Sequence, residues 1–238
     1  MAGTVEYPIY EQFWTIQGEG VHTGRRMYLL RLMGCDQRCP WCDAAGTWHK
    51  NYLPKEAEYV TPREVLEYHT PGDILLVTGG EPTLYDLQPL TTAAFAKGVL
   101  THIETAGHHP IRGDFNWVTL SPKFFDGSKP PVESVVERAD EVKLIVEGDE
   151  NLREQLVWLY SNRKVLRSDA VVWLHPEWSK RNDRKLLQSI LDTVLWSSYS
   201  RTFDLRAGWQ THKLYLADPN PQGVVVPLGG DPTKGDPL

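Results

Sequence analysis

The chain has 238 residues, with 25 Lys and Arg against 31 Asp and Glu for a net charge of −6, and 41% hydrophobic residues. This composition suits a globular chain of one large or two small domains and excludes disorder for the whole. The acidic balance argues against wrapping of nucleic acid, and no apolar run approaches the roughly 18 residues of a membrane span. The opening residues, Met1 to Glu6, lack the basic and apolar regions of a signal peptide. A cytoplasmic protein acting on something small is therefore expected.

Short β-rich apolar runs alternate with helical patterns along the chain. The first run, residues 27–33, leads into all three cysteines of the protein, Cys35, Cys39 and Cys42. Thr61-Pro62-Arg63-Glu64 carries a capping-box Thr, a first-turn Pro and a Glu three residues after the cap, which predicts a helix start. A second run, 74–78, is followed by a helix over 87–97 that Gly98 stops. Runs at 99–105, 117–120, 142–146 and 171–174 then alternate with helical segments at 131–138, 151–160 and 183–196. Six strands with crossover helices predict an α/β fold, either a partial barrel or an open doubly wound sheet. From Asp218 to Leu238, five prolines and four glycines among 21 residues predict an extended tail after a domain over 1–217. No internal repeat appears beyond this rhythm.

Unusual residues follow the strands: Thr78-Gly79-Gly80-Glu81-Pro82, Glu104-Thr105-Ala106-Gly107, Ser121-Pro122-Lys123 and His175-Pro176-Glu177-Trp178. Parallel α/β folds build their sites at the carboxyl ends of strands, so these loops and the cysteine loop should share one mouth. Three cysteines within eight residues read as a metal or redox site rather than a disulfide framework. The spacing Cys-x-x-x-Cys-x-x-Cys can hold three corners of an iron–sulfur cluster and leave one iron open to a small molecule. Two other readings exist. Cys39-Pro40-Trp41-Cys42 is also a redox-type pair, but that gives Cys35 no role. Zinc on the three cysteines plus His49, in a zinc-stabilised binding module, leaves the glycine, lysine and glutamate motifs without a task. His108-His109 is expected to be a surface pair pointing apart in a strand, and Trp158 and Trp196 to be core residues.

The cysteine triad with Thr78-Gly79-Gly80-Glu81-Pro82 resembles the radical S-adenosylmethionine superfamily. Phe13 to Gly20 with its Gln17-Gly18-Glu19-Gly20, Leu30 to Cys35, Trp41-Cys42-Asp43, Val142-Lys143-Leu144 and Gln210-Thr211-His212-Lys213 resemble the 7-carboxy-7-deazaguanine synthase family within it. The resemblance covers about residues 6 to 219. It implies a partial (β/α)6 parallel barrel of the radical S-adenosylmethionine type with a Pro/Gly-rich C-terminal extension, acting as a homodimer. It also implies a [4Fe-4S] cluster on Cys35, Cys39 and Cys42, and an external one-electron reductant of the flavodoxin or ferredoxin type. The implied reaction contracts 6-carboxy-5,6,7,8-tetrahydropterin to 7-carboxy-7-deazaguanine with loss of ammonia, in queuosine-type 7-deazapurine biosynthesis. The implied substrate residues are Ile16, Gln17, Gly18, Glu19, Arg31, Thr78, Glu104 and His212. The implied S-adenosylmethionine residues are Trp41, Asp43, Gly79, Gly80, Ser121, Lys123 and His175. No general acid or base is assigned. A glycyl-radical activating enzyme of the same superfamily would share the cluster motifs but leave Gln17 to Gly20 and Gln210 to Lys213 unexplained.

Three departures stand out. Ala44 occupies the position where the family places a Thr or Ser that helps hold Mg²⁺, which leaves three options for that ion: substrate and water ligands alone, help from Thr47, or no need of it. His175 stands where a Gln commonly precedes the Pro. Pro219 is the nearest match to a chain-terminal Pro, yet 19 residues follow it.

Overall fold

The computed structural model describes residues 5–215, so the tail expected over 218–238 lies outside the described residues. The strands are β1 (Tyr7–Ile16), β2 (Arg26–Leu32), β3 (Glu58–Val60), β4 (Ile74–Gly79), β5 (Leu100–Thr105), β6 (Trp117–Leu120), β7 (Glu141–Val146), β8 (Val171–Pro176) and β9 (Asp204–Ala207). They form one sheet in the order β3-β1-β2-β4-β5-β6-β7-β8-β9. β1 runs antiparallel to β2 and β3, whereas every neighbour from β2 onward is parallel. Since the order rises steadily from β2 to β9, each crossover steps the same way. With right-handed crossovers the helices then collect on one face and leave the other concave. The result is an open, partial barrel. The six expected strands are all present, and β1, β3 and β9 are additions that correct the expected count.

The helices begin and end where local chemistry allows. α1 (Pro62–Val65) carries the capping box: Glu64 N donates to Thr61 Oγ1 at 3.3 Å, and Thr61 N donates to Glu64 Oε2 at 2.8 Å. α2 (Gln88–Lys97) stops at Gly98, whose φ of +72° is the left-handed conformation that favours glycine. α3 (Glu133–Val136) is a single turn, shorter than the expected 131–138, because Val132 ahead of it is extended. α4 is Asp149–Ser161. α5 (Arg184–Trp196) is capped by Asp183, which accepts from Lys185 N at 2.9 Å and Leu186 N at 3.2 Å. α6 is Thr211–Leu214. No helix among the described residues is long and apolar enough to cross a membrane.

Strand alternation decides which residues reach the concave side. Leu30 and Leu32, Leu75 and Val77, and Val142 and Leu144 enter the helix-side core. Burial of each such side chain contributes roughly 1.5–3 kcal/mol. The intervening Arg31, Leu76, Thr78, Lys143 and Ile145 therefore line the concave face. Trp158 packs on the core with its ring 5.8 Å from that of Phe124. Trp196 does not: at the end of α5 it is 78% exposed, which corrects its expected place in the core.

Candidate active site

A cavity of about 250 Å³ opens where the parallel strands end. Cys35, Cys39 and Cys42 form part of its wall, in the loop between β2 and the short 3-10 turn Ala45–Thr47. The loop is held by backbone bonds from Gly34 N to Thr47 O and from Glu81 N to Gly34 O, both 2.8 Å. Gly80 has no room for a side chain, since a Cβ there would stand 2.1 Å from Gly34 O and 2.9 Å from Cys35 Cβ. Gly79, at φ +151°, passes as closely against Leu32.

Burial pushes all three thiols up, Cys39 to about 11 and Cys42 to about 12. They stay protonated until a metal centre displaces the protons. Trp48 Nε1 donates to Cys42 Sγ at 3.4 Å. Among the described residues, a set of three ligand atoms within 4.8 Å of one another is formed by Asp36, His108 and His109.

Asp36, the residue after Cys35, accepts from Lys129 Nζ at 2.5 Å and faces His108 Nε2 at 2.6 Å and His109 Nε2 at 2.9 Å. The two histidines are thus neither a surface pair nor divergent. They lie in the bend after β5 rather than in a strand, which lets both rings turn to one carboxylate. With Gln37, which bonds both Lys129 N and Lys129 O at 2.8 Å, they strap the cysteine loop to the chain beyond β5.

Opposite the cysteines, the turn after β1 reaches across the barrel. Gln17 Nε2 donates to Glu104 Oε1 at 2.9 Å, and Glu19 N donates to Gln17 Oε1 at 3.1 Å. Lys143 Nζ donates to Glu19 and, at 2.8 Å, to Glu104 Oε2. Gly18 O accepts from Thr211 N at 2.9 Å and Thr211 Oγ1 at 3.0 Å, and a Cβ on Gly18 would strike the His212 ring. Arg31 Nε donates to Glu11 Oε1 at 2.5 Å, and Lys123 Nζ donates to Ser121 Oγ at 2.8 Å. Asp43 meets Lys213 Nζ at 2.8 Å and Gln210 Nε2 at 3.3 Å.

The cavity wall thus brings together Ile16, Gln17, Gly18, Glu19, Arg31, Thr78, Glu104 and His212 with the cysteines and with Trp41, Asp43, Gly79, Gly80, Ser121 and Lys123. Two expected residues stand behind the wall. Thr47 is fully buried and gives its hydroxyl to Ala44 O at 2.7 Å. His175 is fully buried against Gly208, with both ring nitrogens lacking a hydrogen-bond partner among the described residues, and burial pushes its pKa down to about 4. Tyr10 and Glu11 on the wall carried no sequence expectation, and Lys143, Glu81, Glu177 and Trp178, though within the quoted motifs, had been given no role. Lys143 had a usable signal, a lone charge inside the apolar run 142–146.

No family model matches the chain. A protein of Synechocystis named 7-carboxy-7-deazaguanine synthase is 34% identical over 211 residues, covering 88% of this chain and 93% of the relative. One from Flavobacterium psychrophilum with the same name is 33% identical over 214 residues, covering 89% and 92%. The crystal structure of QueE from Escherichia coli superposes with a TM-score of 0.68 at 29% identity, covering 86% of this chain and 94% of that one.

Proposed function

The chain belongs to the 7-carboxy-7-deazaguanine synthase family, and from that premise we propose that it converts 6-carboxy-5,6,7,8-tetrahydropterin to 7-carboxy-7-deazaguanine with loss of ammonia. One observation carries the reading at the level of the site. The three-thiol loop and a wall of amide and carboxylate acceptors share a single cavity. A glycyl-radical activating enzyme would have to admit a protein backbone, and Glu19, Gln17 and Glu104 inside the barrel would have no task.

Cys35, Cys39 and Cys42 fit a [4Fe-4S] cluster by donor chemistry and by lying in one loop on the cavity wall, and Gly79 and Gly80 keep the adjoining wall free of side chains. When bound on Cys35, Cys39 and Cys42, the cluster would supply with S-adenosylmethionine the one-electron radical chemistry of hydrogen abstraction. The electron comes from an external flavodoxin or ferredoxin. Ser121 and Lys123 offer a hydroxyl and an ammonium to the ribose and carboxylate of the cofactor, beside Trp41 and Asp43. Across the cavity, Glu19, Glu104 and Gln17 accept the donor edge of the pterin, with Thr78 and His212 beside them. Arg31, held by Glu11, offers further guanidinium donors to the substrate carboxylate. The residues thereby hold the reacting carbon in place and keep water out. A homodimer in the cytoplasm, feeding queuosine-type 7-deazapurine synthesis, accords with the family.

Magnesium does not fit these residues. Ala44 lines the cavity without a side-chain oxygen, Asp43 is engaged by Lys213 and Gln210, and Thr47 is buried behind the wall.

Anaerobic turnover of the iron-loaded protein with S-adenosylmethionine and the pterin acid, followed by mass spectrometry, tests the assignment. Formation of 7-carboxy-7-deazaguanine is expected. A fully loaded cluster that cleaves S-adenosylmethionine but leaves the pterin acid intact would refute it.

A further inference from the structure

Lys143 is the interior group that neither the cluster nor the cofactor requires. Val142 and Leu144 beside it on β7 go into the helix-side core, so its own side chain enters the cavity floor. There it is 6% exposed and donates to both Glu19 Oε2 and Glu104 Oε2, while Gln17 Nε2 takes Glu104 Oε1. Two carboxylates against one ammonium leave this floor with one net negative charge. With Lys143 pinned between them, the two carboxylates are the exchangeable acceptors the floor offers.

We infer that Lys143 is the specificity-determining and positioning residue of the pterin pocket: its ammonium pins the Glu19 and Glu104 carboxylates side by side as acceptors, so that the pocket accepts a 2-aminopyrimidin-4-one edge and rejects its 2-oxo counterpart. The inference rests on the pterin reading above and adds which atom of the substrate is read and by what. An ionised carboxylate only accepts hydrogen bonds, whereas a protonated one also donates. The 2-amino group and the adjacent ring N–H are donors and match the acceptor oxygens of the two carboxylates. A 2-oxo group in the same place presents lone pairs to lone pairs.

Neighbouring charges agree with this role. Burial alone would raise Glu19, but Lys143, then His175 and His212, hold its carboxyl well below the usual range. Burial would lower Lys143, yet Glu104 and Glu19 hold its ammonium above its usual range. The other groups facing the set are Glu141 from β7, His175 from β8 and His212 from α6. Glu141 is engaged below the floor by Val21 N at 2.9 Å, Thr119 Oγ1 at 2.7 Å and Trp173 Nε1 at 3.1 Å. Without Lys143, the buried Glu19 carboxylate loses the counter-charge that offsets its burial, which favours its protonated form.

The test is anaerobic titration calorimetry on the cluster-loaded protein with S-adenosylmethionine present. The pterin acid and its 2-oxo counterpart are compared between pH 6 and 8. The wild-type protein should prefer the 2-amino ligand by about tenfold or more, with little pH dependence. Lys143→Met should bind the 2-amino ligand about tenfold more weakly and narrow the preference. Its affinity for that ligand should fall further as the pH drops and the freed carboxyl protonates. Lys143→Arg, which keeps the charge, should recover part of the preference. An equal loss for both ligands with an unchanged pH profile would mean a merely structural lysine and overturn the inference. Should Lys143→Met fail to fold, equal binding of the two ligands by the wild-type protein would overturn it just as well. A wild-type protein that binds S-adenosylmethionine but neither heterocycle would remove the pterin reading itself, a different failure from loss of selectivity.

Discussion

Lys213 Nζ lies 2.8 Å from Asp43 Oδ2, and so joins the last described helix to the residue that follows the third cysteine, 170 positions away. The lysine side chain is only 2% exposed, whereas that of Asp43 remains 43% exposed. Together with Thr211, which holds Gly18 O, this contact lets α6 clamp the cysteine loop and the turn after β1 to each other across the cavity mouth. Because Asp43 can still reach water, Lys213→Met should cost only about 1 kcal/mol of global stability. Its main effect should be local, as faster loss of iron to a chelator and weaker S-adenosylmethionine binding. Iron release at the wild-type rate would contradict the clamp.

Glu81 behaves as a structural hub, even though it stands in the glycine-rich cofactor motif. At 1% exposure it accepts from Thr83 N at 3.0 Å, Thr83 Oγ1 at 2.6 Å, Thr105 Oγ1 at 2.5 Å and Ala106 N at 2.9 Å. Its removal leaves buried donors without partners, each of which costs about 1–3 kcal/mol. Glu81→Ala should therefore destabilise the fold by about 3 kcal/mol or more, and Glu81→Gln, which keeps one acceptor oxygen, by less. The denaturant midpoints of the two variants measure this, and similar values for both would count against the network.

Ala44 makes a separate claim about the cations in the assay. The wild-type rate should change by less than about twofold when Mg²⁺ is added or chelated. Ala44→Thr supplies the missing hydroxyl at the cavity wall and should gain a stimulation that the parent lacks. Strong stimulation of the wild-type protein would show that magnesium binds without a side-chain ligand here.

His102 should govern part of the acid sensitivity. It is 5% exposed on β5, with its ring centre 4.6 Å from that of His22, and burial, then the His22 and Arg25 charges, push its pKa down to about 3. The unfolded chain titrates this group near pH 6.5, so between about pH 6.5 and 3 the unfolded state binds the extra proton. Its contribution is therefore complete above pH 6.5 and falls by about 1.4 kcal/mol per unit as the pH drops, or about 2 kcal/mol by pH 5. His102→Gln should flatten the stability curve across that window, and an unaltered slope would assign it to other groups.

The parallel strands were legible because their apolar runs are continuous and the intervening helices carry local start and stop signals, as at Thr61 and Gly98. β1 was not legible. Its outer half, Phe13 to Ile16, is only half-buried, and Glu11 and Gln12 break the alternation, since one face lines a polar cavity. β3 has only three residues, and β9, although as long as β6, alternates charged and apolar residues (Asp204-Leu205-Arg206-Ala207) and so lacks a continuous apolar run.

Taken alone, the sequence determined the chemistry of the loops, because residue type and spacing suffice to say that three thiols can hold a cluster or that glycines permit a close approach. The tertiary structure decided which side chains share one cavity and what state they are in. Lys143 acquires a role only when β7 meets β5 and the turn after β1. His108 and His109 converge only because the chain bends toward Asp36. Thr47 and His175 fall behind the wall although their neighbours reach it. Proton affinity and the sharing of hydrogen bonds depend on burial and on partners up to 170 residues away, quantities that no local pattern encodes.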